Sequence, residues 1–302
     1  MPEYPDISVY VERLNAVFGG QRLEAARVGS PFLMRSVKPP LSDAVGRRLT
    51  GVHNIGKRVV WELEGDLYLV FHLMIAGRFR KKERGAQLHK KIGLAAFDFE
   101  DATVILTEAG TKRRASLHVV AGRDELADHD PGGVDLFAID LEAFRAALTR
   151  RNHTLKRALT DPRILSGVGN AYSDEILWAA QLSPIVWTTR LDDAQLAKLF
   201  DTCREVLTTW KERLLDEVGD GFPDKVTAFH PKMAMHGRYG EPCPRCGAPV
   251  QRIRYADNET NYCPPCQTGG KLLADRGLSR LLKKDWPKTL DQLEALKKGS
   301  DG

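Results

Sequence analysis

Cys243-Pro244-Arg245-Cys246 and Cys263-Pro264-Pro265-Cys266, separated by sixteen residues, are the stretch on which the architecture of this chain turns. Each C-x2-C knuckle presents two sulfurs from one tight turn. Four thiolates fill a tetrahedral shell and leave no open position, so the spacing predicts one structural Zn²⁺ held by Cys243, Cys246, Cys263 and Cys266. The spacer suits a β-hairpin, with Pro249–Tyr255 running out, Asp257-Asn258 at the turn and Thr260–Tyr262 returning. Arg252 and Arg254 either meet phosphates or ride on a finger that only staples the end of the chain, and spacing leaves both readings open. The fifth cysteine, Cys203, lies in a helical pattern and reads as a packed, inert thiol.

Upstream of the knuckles the pattern is helical. Apolar residues recur at spacings of three and four over 141–150, 155–159, 171–180 and 193–217, and Gly219-Asp220-Gly221-Phe222-Pro223 ends the last run. The segment Asp161-Pro162-Arg163-Ile164-Leu165-Ser166-Gly167-Val168-Gly169-Asn170 joins two of these helices. Its glycines permit close backbone approach, Asn170 suits an N-cap, and amides at a helix start attract phosphate, with Lys156 and Arg157 nearby. On its own such a turn is usually a plain helix connection.

Between about residues 20 and 120 the runs Arg58–Leu63, Leu67–His72, Leu94–Phe99 and Thr103–Thr107 read as strands of an antiparallel sheet or sandwich. Arg78–Lys91, dense in Lys and Arg, reads as an exposed, mobile loop. Before the strands, Pro5 opens a short amphipathic helix carrying Ile7, Tyr10, Leu14 and Phe18, which Gly19-Gly20 stops. The polar stretch from Ala121 to Gly133 marks a domain boundary, and a basic segment, Lys271–Lys298, follows the knuckles.

The 302 residues leave room for two domains, and a hydrophobic content of 42% excludes wholesale disorder. The net charge of +5 is compatible with an acidic partner without demonstrating one. No apolar run approaches the ~20 residues that span a bilayer. Met1-Pro2-Glu3-Tyr4-Pro5-Asp6 carries no basic, apolar leader, so a cytoplasmic protein with no membrane partner is expected.

Pro2-Glu3 at the start, Gly167-Val168-Gly169-Asn170 between helices and the four-cysteine finger together resemble the formamidopyrimidine-DNA glycosylase/endonuclease VIII family, over nearly the whole chain. The resemblance implies an α+β fold of two domains. An N-terminal catalytic β-sandwich with a short leading helix takes residues 1–130. A helical helix–two-turn–helix domain takes 131–238, its four-cysteine zinc finger 239–270 and a basic C-terminal extension 271–302, with DNA in the cleft between the domains. The implied activity is base-excision repair: a DNA glycosylase with AP lyase activity removing oxidised bases of the formamidopyrimidine/8-oxoguanine type. Its catalytic residues map to Pro2, the nucleophile once Met1 is removed, Glu3 and Lys57. Its DNA-binding residues map to His72, Lys156, Asn170, Asn258 and Arg114. The implied cofactor is one structural Zn²⁺, the partner double-stranded DNA with damaged bases or abasic sites, the state a monomer, and the place the bacterial cytoplasm at the nucleoid.

These residue types suit that chemistry. A base inside a duplex is out of reach and must be extruded. A terminal amine, with a reference pKa of about 7.7–8.0, is partly neutral near pH 7 and can attack the sugar C1′. Glu3 beside it can shuttle a proton, and Lys57 can stabilise developing negative charge.

The chain also departs from the family pattern. Asp6 stands where a glutamate is usual, and Asn258 where the finger usually has an arginine. Lys112-Arg113-Arg114-Ala115 lacks the phenylalanine of the family's Arg-x-Phe wedge. Met74 or Ile75 then fills the gap left by the flipped base, with Arg114 wedging, or both belong to the core. The segment 216–227 is a candidate cover for the flipped base. Three rival readings remain: an endonuclease VIII-like enzyme for oxidised pyrimidines, a non-catalytic DNA-binding protein, and a zinc-stapled protein-interaction module.

Overall fold

The computed structural model describes residues 1–302 except 111, 224, 225, 228, 256, 257, 276–278, 280, 281, 301 and 302. The chain divides into two compact units: residues 1–133 with 208–227, and residues 134–207 with 228–302.

The first unit opens with helix α1 (Tyr4–Phe18), with a proline in its first turn and Ile7, Tyr10, Leu14 and Phe18 buried along one stripe. Strands β1 (Leu23–Val28), β2 (Leu49–Ile55), β3 (Arg58–Leu63), β4 (Leu67–His72), β5 (Gly77–Glu83), β6 (Gly93–Phe99), β7 (Ala102–Glu108) and β8 (Ser116–Ala121) follow, then the short helix α2 (Arg123–Ala127). They form two four-stranded antiparallel sheets in the orders β1-β6-β7-β5 and β2-β3-β4-β8. Trp61 lies in the core, with the rings of Phe71, Phe97, Phe99 and Phe79 at 4.8, 5.1, 5.6 and 5.8 Å between centroids. These rings come from both sheets. Each such pair adds roughly 0.5–1.5 kcal/mol beyond burial, so the cluster fixes the sandwich.

One expectation is corrected here. The basic run from Arg78 does not begin as a loop: Gly77–Glu83 is an edge strand paired along its length with β7. Phe79 is fully buried while Lys81, Lys82 and Glu83 face solvent. Charge on an edge strand blunts edge-to-edge association, and that charge masks the strand pattern in the sequence.

The second unit contains α3 (Leu141–Thr149), α4 (Leu155–Thr160) and α5 (Asn170–Ala180), and α6 (Asp193–Val218) begins in it. The hairpin strands β9 (Gln251–Tyr255) and β10 (Asn258–Tyr262) follow, then α7 (Pro264–Thr268) and α8 (Leu290–Ser300). Residues from Thr208 to Thr227, expected in the helical domain, group with the first unit. Helical periodicity gives a helix its apolar face but not the body on which that face rests. The cap of α5 also shifts by one residue: Gly169 is the N-cap and Asn170 the first helical residue. Asp257, expected at the hairpin turn, lies outside the described residues. Among the described residues no helix is long and apolar enough to cross a membrane.

Candidate functional site

The amino end of the chain is the focus of charge in the first unit. Pro2 and Glu3 are buried. Glu3 is the N-cap of α1 and shares a capping box with Asp6, its backbone N–H donating to Asp6 Oδ2 at 2.9 Å. Burial pushes the terminal amine of Met1 below its usual value. The carboxylates of Glu3 and Asp6 oppose that shift, while the cations of Arg78 and Lys57 add to it. Lys57 reaches this place from the β2–β3 turn, whose first central residue, Gly56, has a φ of 57° that favours glycine. Burial together with the two cations outweighs the two acids, which favours the neutral, nucleophilic form of the amine.

Beside the amino end lies a cavity of about 320 Å³ lined by Asp6 and Val9 of α1, Leu214, Glu217 and Val218 of α6, and Phe222, Pro223 and Val226 beyond it. Phe222 packs against Tyr10. Arg13 Nε donates to the carbonyl of Gly221 at 2.7 Å, and Arg78 Nε to that of Val226 at 2.7 Å. Two arginines therefore hold the backbone at Gly221 and Val226 beside the cavity. Asp224 and Lys225 in that segment lie outside the described residues.

Burial pushes the Asp6 carboxyl from 3.8 up to about 7, despite the N–H of Glu3. The carboxyl of Asp6 is raised on folding, so its contribution to stability is complete below about pH 4 and is lost as pH rises toward 7. Asp6→Asn, which keeps the acceptor for Glu3, is expected to be more stable than the parent at pH 8, by at most about 4 kcal/mol, with little difference at pH 4. Melting temperatures of the two proteins at both pH values check this, and an equal gap at both would contradict it.

Ile75 stands 63% exposed in the β4–β5 turn, so of the two readings left open for it the core one falls away. Neighbouring Met74 is half-buried with φ 53°, a costly conformation for a residue with a side chain. The turn closes at Gly77, where a Cβ would lie 2.2 Å from the carbonyl oxygen of Leu73. Arg114 is exposed on the β7–β8 connection. The buried carboxylate of Glu108 accepts the backbone N–H groups of both Arg114, at 3.0 Å, and Ala115, at 3.1 Å, and so fixes that connection. His72 ends β4 opposite Arg58. Burial, Arg58, Lys57 and His118 push its imidazole down to about 4, so it is a neutral N–H donor at physiological pH.

In the second unit Lys156 is turned inward. Its Nζ donates to the Asn170 carbonyl at 2.7 Å and to the fully buried carboxylate of Asp174 at 2.5 Å. Asp174 also meets His236 Nδ1 at 2.8 Å, while Glu175 accepts the backbone N–H groups of Ala234, Met235 and His236. These two acids tie the approach to the finger onto α5. Asn170 Nδ2 donates to the Glu259 carbonyl of β10 at 2.9 Å, so this residue links the glycine turn to the finger. Asn258 is exposed at the start of β10. Arg252 meets Glu259 at 3.2 Å and covers the Tyr239 ring, and Arg254 stands 65% exposed.

The sulfurs of Cys243, Cys246, Cys263 and Cys266 all lie within 4.8 Å of one another, with 3.9 Å between Cys243 and Cys266 and 3.4 Å between Cys246 and Cys263. Ideal tetrahedral Zn–S bonds place sulfurs about 3.8 Å apart. Burial alone would raise the Cys243 thiol, but the N–H groups of Arg245 and Cys246 and the Trp178 indole, 3.4 Å from Sγ, bring it down to about 7. Burial pushes the thiols of Cys263 and Cys266 up. Four thiolates this close need a divalent cation to hold their charge. The donor set fits Zn²⁺ with no open coordination position, so the site is structural.

Comparison with known proteins agrees with this geometry. Residues 1–114 match the formamidopyrimidine-DNA glycosylase N-terminal domain, 134–212 its H2TH domain, and 240–269 the zinc finger found in Fpg and isoleucyl-tRNA synthetase. A formamidopyrimidine-DNA glycosylase-like protein of Mycobacterium tuberculosis is 40% identical over 164 residues, covering 54% of this chain and 100% of that protein. The formamidopyrimidine-DNA glycosylase of Heliobacterium modesticaldum is 32% identical over 290 residues, covering 88% of this chain and 100% of the relative. The chain belongs to the formamidopyrimidine-DNA glycosylase family. Its fold matches that of Lactococcus lactis Fpg in complex with abasic-site DNA, with a TM-score of 0.76 at 23% identity over 88% of this chain and 99% of the other. The family is one of base-excision repair glycosylases for oxidised bases, and AP lyase activity is characteristic of it.

Within this family member, sequence reasoning misses Arg78, Arg13, Glu108, Asp174 and Glu175. Arg78 is hidden in a run whose charge suggests a loop. The two α5 acids look like ordinary helix-surface residues until burial is known, at 0% exposure for Asp174 and 4% for Glu175. Their adjacency inside an otherwise apolar helix is the signal that marks them.

Proposed function

We propose that this chain excises oxidised bases of the formamidopyrimidine/8-oxoguanine type from duplex DNA and then cuts the strand, as a monomer acting in the bacterial cytoplasm at the nucleoid. Pro2, freed by removal of Met1, is the nucleophile. The reading rests on one observation: Glu3, Asp6, Lys57 and Arg78 act on the amino end, where Pro2 and Glu3 are buried, beside a cavity walled by Asp6.

The Pro2 nitrogen forms a bond to C1′ as the glycosidic bond breaks, and the base leaves with that electron pair and takes up the proton that the Pro2 N–H gives up. Glu3 delivers a proton to the opening sugar ring, leaving a cationic iminium between Pro2 and C1′. The iminium acidifies C2′, and loss of a C2′ proton expels the 3′ phosphate. A second elimination expels the 5′ phosphate, and water then returns the amine. Lys57 balances negative charge next to the amine, and Asp6, half protonated near pH 7, can donate a hydrogen bond to a base held in the cavity. Ile75 at the exposed turn fills the space the base vacates, with Arg114 wedging. His72, Asn170 and Asn258 meet backbone phosphates, and Lys156 acts by holding Asn170 in place.

Borohydride reduction of the protein mixed with duplexes bearing one defined lesion tests the reading. A covalent complex on formamidopyrimidine or 8-oxoguanine DNA, with the added mass on Pro2, is expected. Trapping on oxidised pyrimidines alone would move the specificity to the endonuclease VIII type, and no trapping on any lesion would leave only a DNA binder.

A further inference from the structure

The second unit holds a basic pocket that the catalytic reading does not use. A concavity of about 150 Å³ is lined by Ala147, Arg150, Arg151, His153, Arg157, Asp161, Arg163 and Ile164. Four guanidinium groups and one imidazole thus face a space of phosphate size, with one acid among them. That acid is already engaged. Asp161 binds Nε and Nη2 of Arg163 at 2.9 and 2.7 Å and accepts the Arg163 backbone N–H at 3.0 Å. Arg163 and this backbone contact hold its carboxyl down at about 2, so it stays ionised and spends its charge on Arg163.

The remaining cations have no counterion in the pocket. Among the described residues, Arg151 and Arg157 make no side-chain hydrogen bond or ion pair, and Arg150 makes one long contact, at 3.5 Å to the Arg163 carbonyl. Three uncompensated guanidinium charges around one concavity repel one another, and an anion relieves the repulsion while meeting planar donor forks suited to phosphate oxygens. The backbone is firm: Arg150 caps α3, Arg157 sits on α4, and Asp161 with Arg163 opens the turn into α5.

We infer that the pocket of Arg150, Arg151, Arg157 and Arg163 is a phosphate-binding site, occupied by a backbone phosphodiester of bound DNA away from the lesion. The choice of DNA over free phosphate rests on the repair reading above. The test compares the full, zinc-loaded protein with Arg151→Ala/Arg157→Ala, which leaves the Asp161–Arg163 pair intact. Binding of an undamaged duplex is measured across salt concentrations, melting temperature with and without inorganic phosphate, and borohydride trapping on lesion DNA at saturation.

The variant is expected to bind the duplex several-fold more weakly and to lose about 0.9 from the slope of log K against log salt, the loss of one phosphate contact. Its trapping at saturating DNA should match the parent. An unchanged slope, with stabilisation by inorganic phosphate in the parent alone, keeps the phosphate site but assigns it to a free anion. Unchanged slope and affinity, with equal response to phosphate, overturns the site. Failure of the parent itself to trap would count against the repair reading and leave the pocket to be judged by the other two measurements.

Discussion

Replacing Pro2 by glycine is expected to lower strand cleavage and base excision by at least about a hundredfold, equivalent to ~2.7 kcal/mol of transition-state stabilisation, with folding unchanged. Burial and the neighbouring cations Arg78 and Lys57 lower the pKa of the Met1 amine, and the same surroundings favour an uncharged Pro2 nitrogen once Met1 is removed. A proline there supplies a secondary amine whose ring restricts the directions the nitrogen can take. Glycine keeps an amine but loses the ring, so the nitrogen samples directions that do not reach C1′. Pro2 precedes α1 and lies outside the aromatic cluster around Trp61, so the melting temperature should hardly move. Single-turnover kinetics on a lesion duplex and on a preformed abasic duplex read the two steps, and binding to an uncleavable abasic analogue should stay as in the parent. Cleavage at the parent rate would remove Pro2 from the mechanism. Retention of Met1 should be as damaging, because the proline nitrogen is then a peptide nitrogen without a basic lone pair.

The sequence is legible where local pattern and tertiary role coincide. Helix α1 shows its stripe from Ile7 to Phe18, and the cysteine knuckles name their metal by spacing alone. Strands β3 and β4 appear with the bounds expected because their apolar runs end at turn residues. Reading fails where tertiary context overrides local signal. Phe79 alternates with arginines on an edge strand, and the charge outweighs the alternation. Asp174 and Glu175 look solvent-facing but are buried against His236 and the 234–236 backbone. Lys156 is expected to bind DNA, and its Nζ also meets Asp174, a partner eighteen positions away that no local spacing rule would select. Ile75 and Arg78 sit at and beside one turn, and only folding brings Arg78 to the carbonyl of Val226, 148 positions on.

Stripping the zinc is expected to have the second large effect, and to separate the two units by their responses. Structural zinc binding carries roughly 10–16 kcal/mol of apparent free energy in isolated finger peptides, so the hairpin of β9 and β10 should not survive its loss. Its core is small, with Ile253, Tyr262 and Leu273 in one cluster and Met235, Val250, Cys243 and Cys263 in another. When β10 unravels, Asn170 loses the Glu259 carbonyl, and the network of Asp174, His236 and Lys156 loses the segment it clamps. The β-sandwich has its own aromatic core and should keep its near-ultraviolet signal from Trp61. Chelation at neutral pH, or Cys246→Ser, should therefore release one zinc per chain and weaken lesion-duplex binding by about a hundredfold or more, while the first thermal transition of the sandwich stays in place. Cys246 is the exposed ligand and the natural point of attack. Unaltered duplex affinity in metal-free protein would reduce the finger to a passive staple and strip Asn170 and Asn258 of their part in holding DNA.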